Sequence, residues 1–412
     1  MDAVVLTCVL VSGAGAFSNN GFVPIAPFLA SRSGVGALLS AQGLASCVAL
    51  VFSGRMVDRW GSEHVLKRGM VVFMLSLVFT SVSTSFGVQM LGRIGTGAGG
   101  SMLFCSGMAL IMERFRDPLR SEYIGTSIGM SMVGGVAGPP AAGYLYSLAA
   151  KSDIEEPQAL ALAPAAVLLA LAYVALLRIP EVALTPKEPL LEELPSHASS
   201  GMLVRFFGVY AAVGVQSWVI SITLTVLFCA QPALLCAGAL DMHAHGFTTQ
   251  VIGLISLPAS LLQMACAYWG GKMAGRPRQR TAVMILSPLL LAASLLCCFA
   301  LARLYPAGGG VLPIVAAVGA GSAAMSFADA PSISMMSDLA VLHGRGYGEA
   351  MTASELAVTA GQAIGPSMGV LILTRGGFDC LCLLLAAGAL LVSASCAAFL
   401  RHVEHAPQCS AT

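Results

Sequence analysis

The sequence predicts an all-α membrane protein with twelve transmembrane helices in two pseudo-symmetric six-helix bundles. Three observations support this fold class. Hydrophobic residues make up 57% of the 412 residues and charged residues only 10%, whereas soluble domains carry about 25% charged residues. Apolar runs of roughly the 20 residues that cross a bilayer recur along the chain. Most Lys and Arg residues fall in alternate connections between these runs.

The apolar runs are the predicted spans, and the longest connection separates them into two groups of six. This Pro-rich connection, residues 179–202, predicts a cytoplasmic linker between an N-terminal bundle over 1–178 and a C-terminal bundle over 203–402. Residues 403–412 are then a short cytoplasmic tail. The predicted spans are 3–30, 37–57, 65–86, 88–113, 122–148, 160–178, 203–232, 247–272, 281–302, 311–338, 347–373 and 378–400.

The positive charges predict the orientation of the spans. With both termini in the cytoplasm, sixteen of the 21 Lys and Arg residues lie on the cytoplasmic side, four lie outside, and Arg93 lies within the fourth span. Cytoplasmic loops normally carry this excess of Lys and Arg. We therefore expect an integral multi-pass protein of the plasma membrane or of an intracellular vesicle or organelle membrane.

Short patterns recur in the two halves in the same order. GRMVDRWG after the second span corresponds to GKMAGRPR after the eighth, and GGVAGPPAAG in the fifth span corresponds to AGQAIGPSMG in the eleventh. Such repeats indicate duplication of a six-span unit with a central site between the halves.

Three glycine-containing motifs resemble signatures of the major facilitator superfamily. The first is a cytoplasmic gating loop in which an acid and a base can latch one bundle against the other. The second is Arg93 followed by Gly97 and Gly99 in the fourth span, and this resemblance implies a role of Arg93 in proton coupling. The third is a helix-packing motif, whose small residues let helices approach closely. The loop contains Gly54, Asp58, Arg59 and Gly61, and the packing motif contains Gly125, Gly134, Gly138, Pro139 and Gly143, with Gly365 and Pro366 in the eleventh span.

Two carboxylates and one guanidinium interrupt the apolar spans. Asp329 and Glu355 lie about ten and nine residues from the cytoplasmic ends of spans 10 and 11, which places them at similar depth on antiparallel helices. A carboxyl group removed from water favours its neutral form, so these acids can take up and release protons. The alternative is a carboxylate satisfied by neighbouring hydroxyls or headgroups. Arg93 needs a partner or a water-filled cavity, unless it extends to the outer surface.

Three stretches resemble the vesicular amine transporters of the drug–proton antiporter group. They are VPIAPFL, GGVAGPPAAGYLY and GYGEAMTASELAVTAGQAIGPSMG. The resemblance implies that Asp329 and Glu355 serve proton coupling and amine handling. This sequence departs from the family in one respect, because Gly15 stands at the position of an aspartate in the first span and Gln42 at that of a lysine in the second.

The leading hypothesis is a proton-coupled antiporter of a small organic cation, an amine or a drug-like molecule, that works by alternating access. Polar residues are the candidate contacts in its cavity, although they can equally hydrogen-bond between helices. One alternative is a facilitator or symporter of a neutral or anionic solute, with Arg93 as the anion contact. Another is a receptor on a transporter fold. The candidate cavity contacts are Asn19, Asn20, Gln216, Gln263 and Gln362.

Other classes of protein find little support in the sequence. It contains no recognisable nucleophile–base arrangement, metal-ligand cluster or phosphate loop, so we expect neither an enzyme nor a cofactor or metal. A formal net charge of +1 gives no indication of nucleic-acid binding. The expected partners are a small-molecule substrate, protons and the lipid bilayer, and the expected functional unit is a monomer.

Overall fold

The regular structure of the chain is α-helical, as expected for a protein that must satisfy its backbone hydrogen bonds inside lipid. The computed structural model describes residues 3–115, 119–178, 210, 213–274, 276–304, 311–343 and 347–400. Ten helices within these ranges are long and apolar enough to cross a membrane. The helices are α1 (Ala3–Gly21), α2 (Ala26–Leu29), α3 (Arg32–Trp60), α4 (Ser62–Val82), α5 (Phe86–Arg114), α6 (Leu119–Lys151), α7 (Pro157–Leu177), α8 (Val215–Ala244), α9 (Thr249–Ala274), α10 (Pro277–Leu304), α11 (Val311–Leu342) and α12 (Tyr347–Phe399).

The all-helical class is confirmed, but three helix boundaries differ from those predicted. The first predicted span is divided into α1 and the single turn α2, because Pro24 and Pro27 interrupt the helical hydrogen bonds. Helix α8 continues through Pro232 to Ala244, twelve residues beyond the predicted end. Membrane helices tolerate an internal proline when neighbouring helices surround it. Spans 11 and 12 form the two parts of α12, separated by a non-helical Gly377 with φ 76°.

The helices pack in two groups, each with its own apolar core. In the first group α1 lies against α6 and α7, while α5 lies against α3 and α4. In the second, α8 packs on α12, α9 on α11, and α10 on both α11 and α12. We call these groups the N-bundle (α1–α7) and the C-bundle (α8–α12). The predicted linker, residues 179–202, and the predicted tail, residues 403–412, lie outside the described residues.

Two helix pairs join the bundles, namely α3 with α12 and α6 with α9. In the order of spans these are the second with the eleventh and the fifth with the eighth. Exchanging the two bundles converts one pair into the other, which is the relation that the repeated sequence patterns lead us to expect. The site that the bundles enclose therefore lies between these two helix pairs.

Candidate functional site

The acids of α11 and α12 lie together where the two bundles face each other. Asp329 and Glu355 are both half-buried, and Glu355 lies within the electrostatic influence of the Asp329 carboxylate. It also acts on the thiol of Cys105, which α5 contributes from the N-bundle. Glu355 thus lies on the side of the C-bundle that faces the N-bundle, and Asp329 lies within electrostatic reach of it.

The hydroxyl groups nearest to these acids bind the main chain. Ser332 donates to the Asp329 carbonyl oxygen at 2.6 Å, and Thr359 donates to the Glu355 carbonyl oxygen at 2.8 Å. Both bonds are helical back-bonds of the kind common for Ser and Thr within helices. These hydroxyls therefore stabilise the helices, and neither of these two hydrogen bonds uses a carboxylate oxygen of Asp329 or Glu355.

A neutral amide pair joins α1 to α3. The Gln42 side chain donates a hydrogen bond to Oδ1 of Asn19. The space around Gly15, the position of the family's aspartate, is open, because a Cβ there would meet no described atom within 4 Å. The structure thus has an uncharged hydrogen bond in the region where the resemblance implies an ion pair.

The other polar candidates are dispersed. The Asn20 amide donates to the Ala16 carbonyl oxygen of its own helix at 3.2 Å. Gln216 is half-buried in the first turn of α8, Gln263 is half-buried in α9, and Gln362 is exposed on α12. Among the predicted cavity residues, Asn19 is therefore the one that the structure joins to a polar residue of another helix, within the part of the chain described.

Arg93 lies buried between α5 and α1. Its side chain is 2% exposed, and its Cζ lies 4.4 Å from the centre of the Phe22 ring. A desolvated cation–π contact contributes about 2 kcal/mol, against about 2.5–3.5 kcal/mol for inserting an arginine at the centre of a membrane helix. The aromatic ring therefore offsets part of the insertion cost. The guanidinium does not extend to the outer surface.

The bundles touch along two helix pairs, where the first half of α3 meets α12 and the second half of α6 meets α9. A Cβ on Gly43 would lie 2.5 Å from the main-chain N of Ala363, and one on Gly253 would lie 2.3 Å from the Pro139 carbonyl oxygen. The rings of Phe28 and His243 also meet across the bundles, with centroids 4.2 Å apart. We call this the closed end.

Hydrogen bonds reinforce the closed end on both helix pairs. The Ser147 and Thr249 hydroxyl oxygens lie 2.7 Å apart between α6 and α9. The Ser367 amide donates to the Ser40 hydroxyl at 3.1 Å between α12 and α3. Further along the second pair, Thr359 of α12 lies close to the thiol of Cys47 of α3, and Thr359 follows Glu355 in the chain by one helical turn. The acids thus lie just beyond the contact, toward the opposite end.

At the opposite end, the two glycines of the gating loop have free space around them among the described residues. Helix α3 continues to Trp60, so Gly54 is helical, and the turn falls at Gly61 with φ 82°. A Cβ on either glycine would meet no described atom within 4 Å. Arg59 is exposed, and the Asp58 side chain is outside the described part of the structure. We call this the open end.

The glycines of the packing motif contact different partners: some allow close packing within a bundle, and one allows close packing between the bundles. A Cβ on Gly134 or Gly138 would lie 2.2 Å or 2.7 Å from a carbonyl oxygen of α1, whereas one on Gly143 would lie 2.4 Å from the Thr249 carbonyl oxygen. Gly365, which precedes the helical Pro366, would similarly meet the Cys229 carbonyl oxygen at 2.5 Å. The first two and Gly365 pack a bundle internally, and Gly143 joins the bundles. The surroundings of Gly125 are not among the described contacts.

For three residues of this site, no feature of the sequence predicts that they belong to it. Cys105 lies in the run GSMLFCSG, which reads as ordinary helix packing, and Phe22 and Phe28 flank a proline-rich turn. Their roles depend on which residue faces them from another helix. Only correlated changes at pairs of positions in aligned homologous sequences would reveal such contacts from sequence.

Comparison with known proteins agrees with this architecture. The family model of the Major Facilitator Superfamily matches residues 5–348. A bacterial homologue of the human lysosomal transporter Spinster, in an inward-facing and unoccupied conformation, superimposes with a TM-score of 0.67 at 16% identity, covering 97% of this chain and 94% of its own. At that identity the likeness concerns the fold.

Two curated relatives are similar in sequence. The vesicular acetylcholine transporter of Caenorhabditis elegans is 30% identical over 125 residues, which cover 30% of this chain and 24% of the relative. The human chromaffin granule amine transporter is 22% identical over 350 residues, covering 84% of this chain and 61% of its own length. The chain thus spans about a quarter of the worm protein and less than two thirds of the human one. The match of the family model over most of the chain shows that the chain belongs to the Major Facilitator Superfamily, in agreement with its membrane helices and paired bundles.

Proposed function

We propose that this protein is a proton-coupled antiporter that exchanges protons for a small organic cation, an amine or a drug-like molecule, by alternating access. The observation that carries the proposal is the position of Asp329 and Glu355. Glu355 lies within electrostatic reach of Cys105 in the N-bundle and of Asp329, and it is one helical turn from Thr359, which lies near Cys47 of the N-bundle. In lipid such groups are costly and are normally retained for transport or proton relay.

The exchange follows because protons and the cationic substrate compete for the same two carboxyl groups, Asp329 and Glu355. Removal from water and a neighbouring acid both favour the protonated form of a carboxyl group. A cation that enters the cavity stabilises the ionised form and displaces a proton. When the bundles rock to the other side, loss of the cation lets a proton return. The similarity to acetylcholine and amine transporters supports a cationic substrate.

A facilitator or symporter of a neutral or anionic solute is the second candidate. The uncharged Asn19–Gln42 pair supports it, because a hydrogen-bonding pair does not discriminate for a cation as a carboxylate would. The two candidates differ in their dependence on the acids. A facilitator would retain its transport in Asp329→Asn, whereas an obligate proton exchanger would lose it.

The test is transport in proteoliposomes under an imposed pH gradient, with a panel of amines, drugs and organic anions. A gradient of one pH unit sustains about a tenfold concentration ratio for each proton exchanged, since 1.4 kcal/mol corresponds to a factor of ten. We expect Asp329→Asn and Glu355→Gln to reduce this ratio to about one. Accumulation by the wild type that ignores the gradient would refute the proposal.

Matched controls separate this effect from general damage to the protein. Asp153→Asn and Glu155→Gln make the same chemical changes at exposed positions in the turn between α6 and α7. Asp153 has φ 52°, a conformation that asparagine also adopts readily. Both controls should accumulate substrate as the wild type does.

A further inference from the structure

We infer that Arg93 and Ser18 form a binding site for a small monovalent anion, either a halide ion or a carboxylate group, between α5 and α1. The first observation is the unfulfilled hydrogen-bonding capacity of Arg93. The side chain is 2% exposed, yet its Nε has no hydrogen-bond partner among the described residues. A buried N–H group without an acceptor points to a ligand that the protein itself does not supply.

No carboxylate neutralises this cation in the described part of the chain. The four ion pairs found there involve other residues. The nearest intramembrane acid to α5 is Glu355, which acts on Cys105. Cys105 lies twelve residues from Arg93 on the same helix, about 18 Å along its axis at 1.5 Å per residue.

The Phe22 ring leaves the hydrogen-bonding edge of the guanidinium available. The ring centre lies 4.4 Å from Cζ, and the Nε–H group of the same side chain has no hydrogen-bond partner among the described residues. The N–H groups project in the plane of the guanidinium, in the arrangement that suits carboxylates and other anions. The cation–π contact and an anion on the edge can thus coexist.

Ser18 supplies the second donor. It is 1% exposed, and its hydroxyl has no partner among the described residues. It lies four residues before Phe22, whose amide directly after the end of α1 donates to the Ser18 carbonyl oxygen at 3.2 Å, so the two residues lie one turn apart on the same side. The remaining unpartnered atom nearby is Oε1 of Gln89, one turn from Arg93 on α5.

Ser18 and Gln89 lie on opposite sides of Arg93 because α1 and α5 run in opposite directions. Helices α1 and α5 are the first and fourth spans and run antiparallel, so Ser18 and Gln89 lie one turn from the Phe22–Arg93 contact on opposite sides of it. The Gln89 amide nitrogen is already bound to the Thr80 and Ser83 carbonyl oxygens. The site therefore lies on the Ser18 side, where the free groups are the Nε–H of Arg93 and a hydroxyl that can donate a second hydrogen bond.

The experiment measures thermal unfolding of the whole protein in lipid nanodiscs as a function of anion concentration. Sodium chloride, bromide or acetate is titrated against sodium isethionate at constant ionic strength, which keeps general screening unchanged. We expect a saturable rise in Tm of roughly 2 °C or more in the wild type. A rise with halides assigns the site to a free ion, and a rise with acetate alone assigns it to the carboxylate of a ligand.

Three variants make the result specific. Arg93→Gln should abolish the saturable rise. Ser18→Ala should raise the half-maximal anion concentration about twofold to tenfold, the effect of losing one hydrogen bond. Ser106→Ala removes another buried hydroxyl, which bonds within α5 at 2.5 Å, and should respond as the wild type does.

The inference is overturned if no anion raises Tm in the wild type, or if the rise persists in Arg93→Gln. Should Arg93→Gln fail to fold, the comparison of Ser18→Ala with Ser106→Ala decides, and equal half-maximal concentrations would refute the site. The measurement does not involve transport. Its outcome is therefore independent of whether the protein exchanges protons.

Discussion

The closed and open ends of the inter-bundle interface are built from the same kind of residue but are in opposite states. At the closed end, Gly43 and Gly253 bring main chains of the two bundles into direct contact. At the open end, Gly54 on α3 and Gly271 on α9 occupy corresponding positions in the repeated loop patterns, yet a Cβ on either would meet no described atom within 4 Å. Glycine spacing alone therefore does not specify where the bundles touch.

The contrast between the closed and open ends shows on which side of the contact Glu355 lies. Glu355 lies one turn beyond Thr359, toward the open end, so the acid pair faces the side from which the bundles diverge. The positive charges predict that this side is the cytoplasm. In alternating access the two ends exchange roles, and glycines that are now free at the open end would then form contacts.

The largest effect is expected for Gly43→Ala. The new methyl carbon would lie 2.5 Å from the main-chain N and Cα of Ala363, a distance that requires the helices to separate. Overpacking of this kind costs about 1–3 kcal/mol. We expect a clear fall in Tm for the purified protein. Gly54→Ala, the same change on the same helix at the open end, is the control, and an equal fall in both variants would contradict the distinction between the ends.

A smaller effect is expected for Ser147→Ala, which removes the hydrogen bond to Thr249 between the bundles. Losing one such bond costs about 0.5–1.5 kcal/mol, so the population of molecules that are open at this end should rise about twofold to tenfold. The measurement is the rate of maleimide labelling at Ala239→Cys, a buried position that lines a small apolar cavity of the closed end.

The control for this variant is Ser152→Ala, which removes an exposed hydroxyl that bonds within the turn at the end of α6. It should leave labelling at Ala239→Cys unchanged. A Ser147→Ala variant whose labelling matches that of the control would mean that this hydrogen bond does not hold the bundles together.

The smallest effect on stability is expected for Gly271→Ala at the open end. The methyl group would meet no described atom, and alanine is the better helix former. Tm should therefore stay the same or rise slightly. If the open end closes during transport, the same variant should slow substrate flux although its stability is intact. A loss of stability as large as that of Gly43→Ala would show that this end is already packed.

Much of the fold could be predicted because membrane spans are a local property of the chain. The helices α4, α5, α9 and α10 follow apolar runs whose lengths match the bilayer. The predictions were least accurate at prolines. Pro24 and Pro27 divide the first span, whereas Pro232 leaves α8 continuous, and the difference depends on how neighbouring helices surround each proline.

The candidate site was partly accessible to the same reasoning. The depth of Asp329 and Glu355 followed from counting residues along two antiparallel helices, and the structure places them within each other's electrostatic influence. The hydrogen bond between Asn19 and Gln42 did not follow, although both residues had been singled out. Counting gives the depth of a side chain but not the rotation of its helix.

The sequence by itself determined the helical membrane architecture, the division into two related halves and the presence of two acids and one arginine within the spans. These features depend on hydrophobicity and charge, which each segment carries independently of its neighbours. Only the tertiary structure decided which end of the interface is closed, that Phe22 covers Arg93, and that Ser18 lies on the same helix face. The physical reason is that such contacts depend on how each helix is rotated against the next, and the packing of the two bundles as a whole sets that rotation.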